Sequence, residues 1–112
     1  MTERGDLDGA REGDVLAVIV RRIVQVAAPE KIILFGSAAR GETSRDSDLD
    51  LLVIKDGAHR RKLTQAIYQR IFGVGQAVDI VVLTPEDVER YRSAVGLVVA
   101  PALLEGRVLY AA

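Results

Sequence analysis

The sequence predicts a single α/β or α+β domain, a small β-sheet with helices packed on it. Three observations lead there. The chain has 112 residues, 49% of them apolar, enough for one core without covalent staples. Short β-branched runs alternate with segments of helical spacing, in the order helix, strand, strand, helix, strand, helix. No internal repeat, low-complexity segment or interdomain linker interrupts the pattern, so residues 14–112 read as one domain behind a charged, Gly-rich tail over residues 1–13.

The first helix is expected from Asp14 to Ala28. Val15, Ile19, Ile23 and Val26 share one face, Arg21, Arg22 and Gln25 lie between them, Asp14 is placed to cap the start and Pro29 to stop the end. Its many valines weaken the helix propensity, so this helix depends on packing. "KIILF" (Lys31 to Phe35) is a buried strand ending at Gly36, and "DLDLLVI" (Asp48 to Ile54) is a second strand. Ala58 to Phe72 has Leu63, Ile67 and Ile71 four apart, an amphipathic helix with a basic start. Gly73-Val74-Gly75 breaks it as a turn, not a dinucleotide fingerprint, because no third glycine or following helix fits. "AVDIVVL" (Ala77 to Leu83) is a third strand. Thr84 then caps a helix with Pro85 in its first position and acidic residues in its first turn. Apolar helical sequence resumes at Ala94 and is interrupted at Pro101, and "RVLY" (Arg107 to Tyr110) is a short edge strand. His59, among Arg60, Arg61 and Lys62, reads as part of a solvated face, and Tyr68, Tyr91 and Tyr110 as packing residues.

Composition excludes several function classes. There is no cysteine, hence no disulfide and no thiolate metal site, as suits a reducing compartment. A formal charge of −1 gives no support to direct nucleic-acid binding. The N-terminal tail lacks the apolar core of a signal peptide, and the run "AVGLVVAPALL" falls far short of the ~20 residues of a membrane helix. The expectation is a cytoplasmic protein without a membrane segment.

The chemistry concentrates in "GSAARGETSRDSDLDLLVI", Gly36 to Ile54. Gly36 and Gly41 have the spacing of a phosphate-binding P-loop and Thr43 sits at its Ser/Thr position. Glu42, however, replaces the lysine that would neutralise phosphate charge, and no helical period follows. Asp46, Asp48 and Asp50 match the first ligands of a calcium loop, but Leu51 and Gly57 stand where that loop needs Gly and Glu. Aspartates and serine in a turn often do no more than cap it. Here the alternation of a strand sets Asp48 and Asp50 on one side, about 6–7 Å apart, with Leu52 and Ile54 further along that face and Leu49, Leu51 and Val53 on the other. Two carboxylates side by side repel, and partial burial raises the cost. Divalent cations turn that repulsion into attraction.

Asp79 lies in an otherwise apolar strand, where an unpaired aspartate is expensive. By itself it reads equally well as an edge position or a partner of a helix arginine. If its strand neighbours that of Asp48, it closes a three-carboxylate cluster able to hold two Mg²⁺ ions roughly 3.5–4 Å apart, a spacing suited to in-line displacement at phosphorus. Gly36 lets a ligand approach the backbone closely. Ser37 offers a hydroxyl and, if a short helix runs through Ala38, Ala39 and Arg40, an N–H cluster for an anion.

These residues resemble the signature of the minimal nucleotidyltransferases, a branch of the DNA polymerase β-like nucleotidyltransferase superfamily. That signature is Gly-Ser, an Arg-Gly shortly after, Ser-Asp-x-Asp-Leu on a strand and a third aspartate on a later strand, as in "VDIVVLT". The likeness covers about Val15 to Leu83 in element order, and "EGRVLY" resembles the tail of these small proteins. It implies a mixed sheet with helices on one side. It also implies that Gly36 and Ser37 hold nucleotide phosphates, that Asp48 and Asp50 ligate both Mg²⁺ ions, and that Asp79 ligates the catalytic ion and helps deprotonate an attacking hydroxyl. Arg40 is a phosphate contact, a partner contact or an ion-pair residue. The reaction implied is attack of a hydroxyl on the α-phosphorus of a nucleoside triphosphate, with transfer of the nucleoside monophosphate and loss of pyrophosphate.

Larger relatives carry a second domain that presents the acceptor. The 112 residues leave no room for one, so the acceptor side is expected from another chain. Stand-alone members resemble antitoxins encoded beside a small helical HEPN-domain, RNase-like toxin, which implies ATP as substrate and adenylylation of a tyrosine on the toxin. Residues 94–104 are a candidate contact surface or a cover for the sheet. Two other readings stay open: neutralisation of a partner by binding alone, and transfer to a small molecule by a homodimer.

Overall fold

The computed structural model describes residues 12–36, 48–57, 59–92 and 106–112. In chain order its elements are α1 (Glu12–Ala27), β1 (Lys31–Phe35), β2 (Leu49–Ile54), α2 (Arg60–Ile71), β3 (Val78–Leu83), α3 (Pro85–Arg92) and β4 (Arg107–Ala111). Ser37, Arg40 and the apolar stretch 94–104 lie outside the described residues.

The strands form one mixed sheet in the order β3-β2-β1-β4. β1 runs antiparallel to β2 and to β4, and β2 runs parallel to β3. β4 is an edge strand, as expected, and its pairing with β1 shifts register between Ile32 and Ile33. The strand alternation read from the sequence sorts the core. Leu49, Leu51 and Val53 of β2 join Ile32, Leu34, Ile80 and Val82 on one face, where Ile19, Ile23 and Ala27 of α1 and Ile67 and Ile71 of α2 cover them. Leu52 and Ile54 join Ile33, Leu83 and Val88 on the opposite face. The two long helices therefore share one side of the sheet, while short α3 sends Val88 to the other.

The ends of the helices differ from the sequence expectation in instructive ways. α1 already includes Glu12, so Asp14 lies inside the helix and is not its cap. Pro29 does end the helix, through an unusual residue: Ala28 has φ of +43°, left-handed backbone that normally favours glycine. α2 begins later than expected, at Arg60, because His59 caps it: Nδ1 accepts the Lys62 N–H at 3.3 Å. α1 and α2 are tied by Arg70, whose guanidinium donates to Gln25 Oε1 at 2.9 Å, and by Arg22, which donates to the Arg70 carbonyl at 3.2 Å.

Thr84 caps α3 as expected, and Asp87 completes a reciprocal box. Thr84 Oγ1 accepts the Asp87 N–H and Asp87 Oδ2 accepts the Thr84 N–H, both at 3.1 Å. Asp87 is buried and also faces Arg60 at 3.4 Å, which anchors the start of α3 to that of α2. The Thr84 N–H holds the Asp87 carboxyl below its ordinary value of 3.8 against the opposing cost of burial, helped by the Thr84 hydroxyl, Arg60 and Arg90.

Two stability measurements follow. Exposed Ala28 replaced by glycine relieves the left-handed backbone at no packing cost, and Ala28→Gly is expected to raise stability by about 1 kcal/mol in urea unfolding. Asp87→Ala is expected to lower it by about 1–2 kcal/mol near neutral pH. Since the folded carboxyl titrates below the unfolded one, wild type keeps this advantage above the ordinary value of 3.8 and loses it as pH falls through the lowered folded value.

Candidate active site

Because β2 and β3 run parallel and β1 antiparallel to them, the starts of β2 and β3 and the end of β1 meet at one end of the sheet. Asp50 stands there opposite Asp79 on β3 and opposite Phe35 on β1. Strand alternation turns Asp50 and Asp79 to the same face, the one bearing Leu52 and Ile54.

The two carboxylates do not share one environment. β3 is an outer strand, so Asp79 is exposed, while Asp50, on an inner strand, is half-buried. This revises where the cost of the cluster falls: the edge position spares Asp79 desolvation, and Asp50 bears it. Burial is the largest influence raising the Asp50 carboxyl above its ordinary value of 3.8; the charges of Asp79 and then Asp48 add to it, as does the hydrogen bond that protonated Asp50 gives Asp79.

Asp48 lies one residue before β2 rather than within it, and is exposed. It is near enough to act on Asp50 by charge, but its carboxylate does not close a three-ligand set: among the described residues no three carboxylate or imidazole groups converge on one point. The condition set on Asp79, that its strand neighbour β2, is met, and its register partner is Asp50. The strand pattern overextends β2 by one residue at Asp48, where pairing with β3 stops at Leu49 opposite Val78.

Gly36 closes the third side. Its φ is +77°, which disfavours any L side chain, and a Cβ there would collide with Asp50 Oδ2 and come within 3.3 Å of Asp50 Cγ. The missing side chain thus lets the Asp50 carboxylate lie directly against the Gly36 backbone, in space any other residue would fill. Asp50 and Asp79 side by side, the first with its ionised form disfavoured until positive charge arrives, offer oxygen donors that suit a hard divalent cation such as Mg²⁺, and exposed Asp48 adds negative charge nearby.

Two features of this end of the sheet escaped the sequence. Tyr68, expected to pack, instead accepts the backbone N–H of Ile80 on β3 at 2.9 Å through its hydroxyl. Phe72, just past the end of α2, is 86% exposed. Neither could be found by pattern, since both depend on which strand lies at the sheet's edge.

Comparison with known proteins places this arrangement. Residues 15–94 match the sequence profile of the nucleotidyltransferase domain. The fold is similar to the crystal structure of a putative nucleotidyltransferase from Sulfolobus solfataricus, with a TM-score of 0.59 and 20% identity over 88% of this chain and 78% of that one. It is also similar to a chain in the crystal structure of a toxin-antitoxin with AMP-PNP, with a TM-score of 0.53 and 24% identity over 85% and 73% of the two chains. No curated protein matches the chain.

Asp50→Asn is expected to raise the melting temperature of the metal-free protein near neutral pH. A carboxyl whose folded value is raised destabilises the fold increasingly as pH climbs from 3.8 through that folded value, so the gap between variant and wild type should open across this window and stay constant above it. Gly36→Ala is expected to cost about 1–2 kcal/mol from its backbone conformation alone, and more if the Asp50 carboxylate is forced aside; denaturant unfolding of both variants measures the two effects.

Proposed function

The chain belongs to the nucleotidyltransferase domain family, and from that premise we propose that it moves a nucleoside monophosphate, AMP from ATP, onto a hydroxyl of a partner protein. The observation that carries this reading is the pairing of Asp50 with Asp79, with the Asp50 carboxylate packed against Gly36. Asp50 and Asp79 would hold Mg²⁺ between them, and exposed Asp48, which stands outside their pair in this structure, would join them only on metal binding; two such ions, when bound, supply charge stabilisation at the attacking and leaving oxygens. Gly36 admits phosphate oxygens close to the backbone, Ser37 binds them with its hydroxyl and N–H, and Arg40 adds a cation. Asp50, half-buried and fixed by its neighbours on both sides, orients the nucleotide. Exposed Asp79, reachable from outside the sheet, takes the proton of the acceptor hydroxyl.

A partner protein as acceptor is supported by the solved neighbour described as a toxin-antitoxin with AMP-PNP, an ATP analogue. On this reading the chain, one domain over residues 14–112, is an antitoxin acting in the cytoplasm on a HEPN-domain RNase toxin through tyrosine adenylylation.

The test mixes the chain with the protein encoded beside it, Mg²⁺ and each α-labelled nucleoside triphosphate in turn. Label from ATP should move to the partner, and Asp50→Ala should reduce the rate by about 10³-fold. If no label moves while wild type and Asp50→Ala suppress the partner's activity equally, neutralisation is by binding and the transfer reading fails. If label moves only to a small-molecule hydroxyl, the acceptor class is wrong.

A further inference from the structure

The outer edge of β3 begins beside Asp79. Along a strand the N–H and C=O of one residue point to the same side and alternate from residue to residue. The Leu49 N–H donates to the Ala77 carbonyl at 3.0 Å and the Lys55 N–H to the Leu83 carbonyl at 2.9 Å. Ala77, Asp79, Val81 and Leu83 therefore turn their backbone groups toward β2, while Val78, Ile80 and Val82 turn theirs outward.

Ile80 meets a side chain there: its N–H donates to the Tyr68 hydroxyl. A phenol is a replaceable partner for a strand edge. Tyr68 is 40% exposed, so its hydroxyl can return to water and leave the N–H to an incoming carbonyl. Of the four large apolar residues exposed among those described, three belong to this region. They are Tyr68; Phe72, one helical turn later on the chain leading into β3; and Val81, on the Asp79 side of β3 at 37% exposure. An apolar border to a strand edge that no other described strand pairs with is the pattern that binds extended peptides.

We propose that the β3 edge is the acceptor-docking surface: an extended segment of the acceptor protein adds to it as an outer strand, one of its carbonyls taking the Ile80 N–H from Tyr68, and sets a hydroxyl beside Asp79. The inference rests on the transfer reaction proposed above. The occupant follows from continuity with the site, because whatever pairs with β3 lies directly against the one carboxylate of the pair that is open to solvent. Residues opposite each other on neighbouring strands have Cβ atoms roughly 5 Å apart, so a side chain opposite Asp79 is within reach of its carboxylate. Its hydroxyl oxygen then bonds to the α-phosphorus, the bond from that phosphorus to the oxygen bridging to the β-phosphate breaks, pyrophosphate departs, and the hydroxyl proton passes to Asp79.

The experiment uses the full chain, Mg²⁺, α-labelled ATP and short synthetic peptides of β-branched residues with one central tyrosine. Transfer to the peptide is expected. Methylating alternate backbone nitrogens on the edge that meets β3 should abolish transfer although the tyrosine is intact. Tyr68→Phe frees the Ile80 N–H and should lower KM for the peptide roughly fivefold, with kcat little changed. Equal labelling of methylated and unmethylated peptides overturns the proposal. So does a peptide KM that Tyr68→Phe does not move, or a dimer paired through β3 that the peptide does not open. Binding of Mg²⁺ and the nucleotide analogue AMP-PNP, followed separately by its thermal shift, separates the two levels. Binding without any peptide labelling defeats the docking inference alone; no binding defeats the transfer reading and the inference with it.

Discussion

The parallel register that sets Asp50 directly opposite Asp79 is the constraint on which the rest of the site depends. Two carboxylates on neighbouring strands are a standing cost, and burial on the inner strand concentrates it on Asp50. A fold tolerates such a pair where the surrounding sheet holds the strands in place regardless. Here β2 has hydrogen-bonded neighbours on both sides, and its side chains after Asp50 are buried whichever face they point to. The apolar majority of β2 and β3 thus maintains a repulsive pair at the strand starts that it would not form unaided.

The division of labour between those carboxylates follows from strand order. The strand order that makes β2 an inner strand and β3 an outer one makes Asp50 half-buried and Asp79 accessible. An enclosed group suits holding and orienting, and an accessible one suits meeting a second reactant. Gly36, at the end of β1, meets the pair from a third direction, because its left-handed backbone and missing side chain let the Asp50 carboxylate lie against it.

Much of this was legible in the sequence because strand periodicity is a strong signal. The alternation in "DLDLLVI" sets Leu49, Leu51 and Val53 apart from Asp48, Asp50, Leu52 and Ile54, and the structure puts the first three in one core and Leu52 and Ile54 in another on the opposite face. A lone aspartate in "AVDIVVL" pointed to Asp79, and Gly36 was marked by its place after a strand. What escaped depends on long-range order. Strand order decides that Asp79 is exposed, and no local pattern carries it. The end of ladder pairing decides that Asp48 falls outside β2. The capping roles of His59 and Asp87 required knowing where two helices begin to within a residue, and the part of Tyr68 at the β3 edge required knowing which strand it reaches.

The central claim is that the Asp50–Asp79 pair is a divalent-cation site serving a nucleotide. Calorimetric titration of AMP-PNP into the full chain tests it most directly, in Mg²⁺ and in chelator, for wild type and Asp50→Asn. The account predicts binding by wild type that requires Mg²⁺ and is lost in Asp50→Asn. Binding of equal strength in chelator, or by the variant, would contradict it.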